Sequence, residues 1–177
     1  MKKIYKLLGI TGKSPLVVDF IKSSNNIFDY FMIDDKDARL PKIIIASIQY
    51  EKDIERIKKR DVIDASIGLI IVSEKFIEIA DEKFYREAKP VNCYLHYDSI
   101  FLKNYYALDI KKKLRLVDKK RSSFSDKNKK YIRNVVCKSK IDDDFLIAKD
   151  IDYPTVFRIS ESFAEKISHL RLNIKKG

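Results

Sequence analysis

An apolar run that stops abruptly at a serine constrains this chain more than any other feature. Ile67-Gly68-Leu69-Ile70-Ile71-Val72 carries no charge and ends in Ser73-Glu74. A run this short suits a buried strand and falls far below the roughly 18 apolar residues that a membrane span needs. Serine is a good helix N-cap, because its side-chain oxygen accepts a bond from an orphan amide of the first turn. Glu74 then lies near the positive end of the helix dipole. Phe76, Ile79, Ala80 and Phe84 follow at helical spacing, which predicts a helix with one apolar stripe. The arrangement returns later. Ile71-Val72-Ser73-Glu74-Lys75-Phe76-Ile77-Glu78 is echoed by Arg158-Ile159-Ser160-Glu161-Ser162-Phe163-Ala164-Glu165. Two copies make no repeat array; they read as one strand-to-helix corner used twice.

Strands are expected over residues 3–8 and 42–50, with a short exposed helix or charged loop over 51–61. From Asn92 onward the texture is strand-like, over 92–97, 104–110, 113–118, 130–137, 144–149 and 155–159. A last helix is expected from about Ser160 to His169, with Phe163, Ile167 and Leu170 on one face. No linker rich in Gly, Pro or Ser divides the 177 residues. The expectation is therefore one α+β domain over 1–177, with a mixed or mainly antiparallel sheet and a few helices, one of them C-terminal. A chain of this length buries roughly 70% of its unfolded surface, so no disulfide or metal is required to hold it. Cys93 and Cys137 lie in apolar surroundings without a CxxC pair, and read as buried reduced thiols. The start, Met1-Lys2-Lys3-Ile4-Tyr5-Lys6, turns polar too soon for a secretory signal. The cytoplasm is the expected compartment, with no membrane partner.

The formal net charge is +11, and residues 111–140 carry thirteen bases against two acids, Asp118 and Asp126. That stretch alone therefore accounts for the whole net charge. Such a concentration makes a local positive field able to steer an acidic protein or a phosphate backbone, although many charge runs are merely solvated faces. The residues expected to meet a partner are Lys119, Lys120, Arg121, Lys127, Lys129 and Lys130. Nucleic acid would gain from aromatics interleaved with the bases as stacking platforms. Between Lys119 and Lys130 only Phe124 offers one.

The chemical motifs do not hold together. Gly9-Ile10-Thr11-Gly12-Lys13-Ser14 suggests a phosphate loop, but the first glycine is two residues too close and Pro15 removes an amide from the cradle. Asp98 with Asp109-Ile110-Lys111 resembles the acid-x-Lys core of a metal-dependent nuclease. Yet Asp34-Asp35-Lys36 and Asp81-Glu82-Lys83 match equally well in so charged a chain. Asp142-Asp143-Asp144 lacks the glycine and distal glutamate of a calcium loop. His96 and His169 are solitary, and Ser73 and Ser160 read as caps. No catalytic, cofactor-binding or metal-binding residue is expected, and the chain reads as a non-enzyme.

The corner Gly68-Leu69-Ile70-Ile71-Val72-Ser73-Glu74-Lys75-Phe76 also carries a resemblance, together with three later landmarks. These are Tyr105-Tyr106-Ala107-Leu108, Val117-Asp118-Lys119-Lys120-Arg121-Ser122 and Val156-Phe157-Arg158-Ile159-Ser160-Glu161. The set resembles a large group of bacterial immunity proteins, which protect cells from their own polymorphic toxins, contact-dependent inhibition toxins among them. It spans roughly residues 40–170 and rests on short motifs. The resemblance implies a protein that binds and neutralises a cognate toxin by steric occlusion, with no catalytic residues to carry over. Immunity proteins against basic nucleases are commonly acidic, and this chain departs from that pattern. The implied toxin is acidic where it meets this chain. The alternative is a nucleic-acid- or ribosome-binding protein, and the third reading is a metal-dependent nuclease.

Overall fold

The computed structural model describes residues 2–8, 17–20, 24–33, 39–49, 53–65, 69–129 and 131–176. Strands β2 (Val17–Phe20), β3 (Ile44–Gln49), β4 (Val62–Asp64), β5 (Ile70–Ser73), β6 (Ala88–Tyr97) and β7 (Ile100–Ile110) form a first sheet. Their order is β2-β3-β6-β7-β5-β4. Only β3 and β6 run parallel. A second sheet contains β1 (Lys2–Leu8), β8 (Lys113–Leu114), β11 (Lys140–Ile141), β12 (Ile147–Asp150), β13 (Phe157–Ser160) and β14 (Asn173–Lys176). Its order is β11-β1-β13-β12-β8, with β14 also on β1. A ribbon of β9 (Ser123–Phe124) and β10 (Ile132–Asn134) stands apart. The helices are α1 (Ser24–Phe28), running into a π-helical turn at Asp29–Ile33, then α2 (Ile54–Lys58), α3 (Glu74–Glu78), α4 (Glu82–Glu87) and α5 (Glu161–Lys166). The α+β architecture with a helix near the C-terminus is as the sequence predicts.

Alternation along the strands distributes the core. Ile63, Ile71 and Ala107 join one cluster with Ile27, Phe31 and Ile57 of the helical segments. Their neighbours Val62, Ile70, Val72 and Leu108 turn the other way, to meet Leu7, Ile147 and Ile159 of the second sheet. The strand at 70–73 is thus buried on both faces, which is why its run holds no polar residue before the serine. The opposite face of the second sheet carries a third cluster, with Ile4, Phe145, Ala148, Val156 and Cys137.

The repeated corner is built the same way both times. Ser73 (φ −75, ψ 164) accepts from Phe76 N, and Ser160 (φ −73, ψ 163) accepts from Phe163 N. Both phenylalanines enter the cluster between the sheets, where their rings meet edge to face with centroids 5.9 Å apart. Phe84 completes the group, 6.1 Å from Phe76 and stacked 5.4 Å from Phe163. Each such pair contributes roughly 0.5–1.5 kcal/mol beyond its area burial.

The single stripe expected from Phe76 to Phe84 is corrected to two helices. α3 ends at Glu78, and Asp81 caps α4 by accepting from Phe84 N. In one continuous helix eight residues would rise about 12 Å, too far for these two rings to touch. The last helix likewise stops at Lys166, short of His169, and the chain goes on to β14, which the sequence does not signal. Residues 113–118 pair only at Lys113–Leu114 and through a bridge from Val117 to Cys137.

Buried carboxylates serve as backbone acceptors at the joints. Asp61 Oδ1 accepts from Ser73 Oγ at 2.7 Å and Oδ2 from Arg171 N at 2.8 Å. Glu87, at the end of α4, accepts from Leu146 N at 2.6 Å and Ile147 N at 3.0 Å. Cys93 is wholly buried, and burial pushes its thiol up to about 12. Both cysteines are free.

Ser160→Ala should cost about 1 kcal/mol through loss of a cap. Ser73→Ala should cost more, by a further ~1–3 kcal/mol, because it also strips the buried Asp61 Oδ1 of its donor. Urea unfolding of the two variants measures the difference. Equal losses would mean that the Asp61 bond contributes no more than the contact of Ser160 Oγ with Ser162 Oγ at 3.1 Å.

Candidate functional site

The basic segment leaves the second sheet after β8 and rejoins it at β11. Between them it is held in a fixed shape. Phe124 pairs with Ile132 and Ser123 with Asn134 across the ribbon. Asp118 Oδ1 accepts from the amides of Lys120 (3.0 Å) and Arg121 (3.3 Å). Ser122 Oγ both donates to Val136 O and accepts from Val136 N at 3.0 Å. Asp126 Oδ1 accepts from Tyr131 N at 2.8 Å. The segment's only two acids therefore bind its own backbone.

The root of the segment is Asp150, 2% exposed. Its Oδ2 accepts from Leu116 N and Val117 N, both at 2.8 Å. Its Oδ1 accepts from Asp152 N at 2.9 Å and Tyr153 N at 3.0 Å. Tyr153, so placed, donates its hydroxyl to Lys129 O at 2.6 Å, and its ring lies 6.0 Å from that of Phe124. Lys129 has φ 56, a left-handed conformation that costs a residue with a Cβ roughly 1–2 kcal/mol. The Tyr153 bond helps hold it there. Ammonium groups cover both rings, Lys119 over Tyr153 at 5.7 Å and Lys129 over Phe124 at 5.6 Å.

Lys119, Lys120, Arg121, Lys127 and Lys129 are all exposed. Lys130 lies outside the described residues. Lys119 is ion-paired with Asp152 at 2.8 Å, and that hydrogen bond raises its pKa above the usual value. Lys111 and Lys112 are likewise engaged, with Asp109 and Asp143. The open charge thus centres on Lys120, Arg121 and Lys127. Asp150, Asp152 and Tyr153 are the supporting residues that sequence reasoning missed. They stand about thirty positions downstream, and no local spacing marks them.

The nuclease constellation is not assembled. Asp98 sits in the turn between β6 and β7 at φ 53, whereas Asp109 pairs with Lys89 at the far end of that hairpin. At about 3.3 Å per residue the two stand roughly 30 Å or more apart. Asp109 is 2% exposed, and its Oδ2 takes both Tyr30 OH at 2.8 Å and Lys111 Nζ at 2.6 Å. Burial works against the Lys111 ammonium, but bonds to Asp109 and Tyr30 outweigh it and raise its pKa. Lys83 pairs with Asp144 at 2.7 Å and Lys112 with Asp143 at 3.2 Å, which ties down the aspartate run. Among the described residues no three His, Cys, Asp or Glu side chains gather as a metal site would require. Residues 9–14 lie outside the described residues.

A second feature has no counterpart in the sequence motifs. A cleft of about 500 Å³ opens beside the Ser73 corner, where α2, α3 and β7 approach one another. Lys58, Lys75 and Lys103 stand around it, with Phe101 and Tyr105 among its walls and the buried Asp61 below. Tyr105 donates to Ile57 O at 3.0 Å, closing the end of α2, and burial pushes its hydroxyl up to about 12.

No protein-family model matches the chain, and no curated protein sequence matches it. Among the described residues no helix is long and apolar enough to cross a membrane.

Two outcomes follow from this geometry. Asp150→Ala should destabilise the protein by at least ~2 kcal/mol, since four amides lose a charged acceptor, and should broaden the amide NMR signals of residues 116–129. With magnesium or manganese the purified protein should leave DNA and RNA intact. Cleavage that disappears in Asp109→Ala would overturn the non-enzyme reading.

Proposed function

We propose that the chain binds and neutralises a toxin by covering it, with the basic segment at residues 119–129, which contains β9 of the ribbon, meeting an acidic surface of that partner. The observation that carries this reading is the use of Asp118 and Asp126 as backbone acceptors. They lock the segment into one shape and leave its exposed cations to face outward. A preformed charged surface binds a complementary protein without a large ordering cost. It also speeds encounter by steering. The aromatic rings favour a protein over nucleic acid. Bases stack on open ring faces, and here Lys119 and Lys129 lie over the faces of Tyr153 and Phe124. The resemblance to immunity proteins points the same way, and the cytoplasm, where such a toxin would act, is the compartment we assign.

The test screens the products of genes neighbouring this one for a toxin against which the chain protects cells, and uses the reversals Lys120→Glu, Arg121→Glu and Lys127→Glu together. These three lie outside the Asp152 ion pair and the ring contacts, so the fold should stay intact. The variant should lose protection of toxin-exposed cells. The wild-type association rate should fall with rising salt while dissociation changes little. Protection unchanged by the reversal would refute the role given to the basic segment. Nucleic-acid binding that stays tight at 150 mM salt and vanishes in the variant would put the nucleic-acid reading in its place, since counterion release makes incidental phosphate contacts collapse with salt.

A further inference from the structure

A second cavity, of about 390 Å³, adjoins the cleft beside the Ser73 corner and shares Lys58, Asp61 and Lys75 with it. That volume falls within the roughly 300–1,000 Å³ of small-molecule sites. Three stretches far apart in the chain meet around it: the end of α2, the start of α3 and the turn after α5. Asp61 ties two of them together. It accepts from Ser73 Oγ at 2.7 Å and from Arg171 N at 2.8 Å, and its own amide donates to Arg171 O at 3.2 Å. At the end of α2, Ile57 O accepts from Arg60 N at 2.9 Å and from the Tyr105 hydroxyl at 3.0 Å. The backbone that carries Lys59, Lys75 and Arg171 is thereby fixed in advance of any ligand.

These three side chains are exposed, and among the described residues no acid pairs with any of them. Other surface lysines are paired: Lys3, Lys83, Lys119 and Lys166 each hold a carboxylate. Asp61 keeps its negative charge, because its partners here are a hydroxyl and an amide, and Lys58 is cancelled by Glu55 at 2.7 Å. Three cations against one anion leave the cavity net positive by two. Glu74 lines the neighbouring cleft, not this one, and counting it would still leave a surplus of one. His169 adds a further nitrogen donor to the wall. Like charges held together repel one another, and an anion seated among them relieves that repulsion.

We propose that this cavity binds a small anion carrying two phosphate groups. The planar fork of Arg171 suits two phosphate oxygens at once, and Lys59 and Lys75 act as point charges. Among the described residues that line the cavity none is aromatic, so a nucleobase would find no ring to stack on. That composition favours a compact diphosphate over a nucleotide or a nucleic-acid strand. The cavity shares no residue with the basic segment at 119–129, and the proposal does not depend on the toxin reading.

The probes are pyrophosphate, whose phosphates adjoin, and fructose 1,6-bisphosphate, whose phosphates stand apart on a carbon skeleton. At least one should bind in titration calorimetry at about 150 mM salt and shift the amide NMR signals of residues 58, 59, 75 and 169–171. Binding of either supports the site, and the tighter of the two tells which spacing it takes. The shifts are read on the wild-type protein, so they locate the site without any variant. Lys59→Gln, Lys75→Gln and Arg171→Gln together should weaken binding by about tenfold or more. The variant reversed at Lys120, Arg121 and Lys127 should bind as wild type does. Four results would each overturn the proposal. They are no binding of either probe at millimolar concentration, shifts confined to residues 111–140, affinity indifferent to the triple glutamine substitution, or a short single-stranded DNA that binds the cavity more tightly than both probes.

Discussion

Four backbone amides converge on the carboxylate of Asp150, and the shape of the basic face depends on that convergence. Two amides belong to the segment that leads into the ribbon, and two to the turn that presents Tyr153. Charge-assisted bonds of this kind are each worth roughly 1.5–3 kcal/mol. They also fix direction, because one planar group dictates where both backbone stretches lie. Tyr153 then carries that constraint outward to Lys129 and Phe124. A cationic surface is thus ordered by an anion beneath it. Glu87 and Asp61 likewise accept from backbone amides at other joints. Among the described residues one buried side-chain atom, Arg158 Nε, has no hydrogen-bond partner, and burial lowers the pKa of its guanidinium.

The two serine corners have a different role. Each converts a buried strand into a helix within one residue, and each delivers a phenylalanine to the same place. The first sheet supplies one corner and the second sheet the other, so the ring cluster locks the sheets together. Lys166 adds a bond from α5 to Asp81, the cap of α4, at 2.8 Å. Burial offsets none of this: Phe76, Phe84 and Phe163 are all within 1% of complete enclosure.

Much of this was legible in the sequence because it is local. Capping chemistry, alternation and apolar runs identify β5, β13, α3 and α5 from a few adjacent residues. The break after Glu78 was hidden, since Phe76 and Phe84 also satisfy helical spacing, although Asp81, which caps α4, stands at it. β14 carries Asn173, Ile174, Lys175 and Lys176, a polar texture that becomes a strand because β1 offers it an edge. The basic segment was visible as composition, whereas its support by Asp150 and Tyr153 is tertiary. The cleft was invisible for the same reason: Lys58, Lys75 and Lys103 are far apart in the chain and come together only through pairing.

The position of β1 has a bearing on how the protein is made. Strands β2 to β7 occupy a continuous stretch of chain and pair among themselves, so the first sheet can close while synthesis continues. β1 emerges before all of them, yet its partners are β11, β13 and β14. At about 5–20 residues per second, Ile4 and Leu7 wait several seconds on the ribosome without the strands that pair with theirs. An apolar strand left waiting is an opening for chaperones or for misassembly. The basic ribbon is translated within that interval, just before β11 arrives to take the first place beside β1.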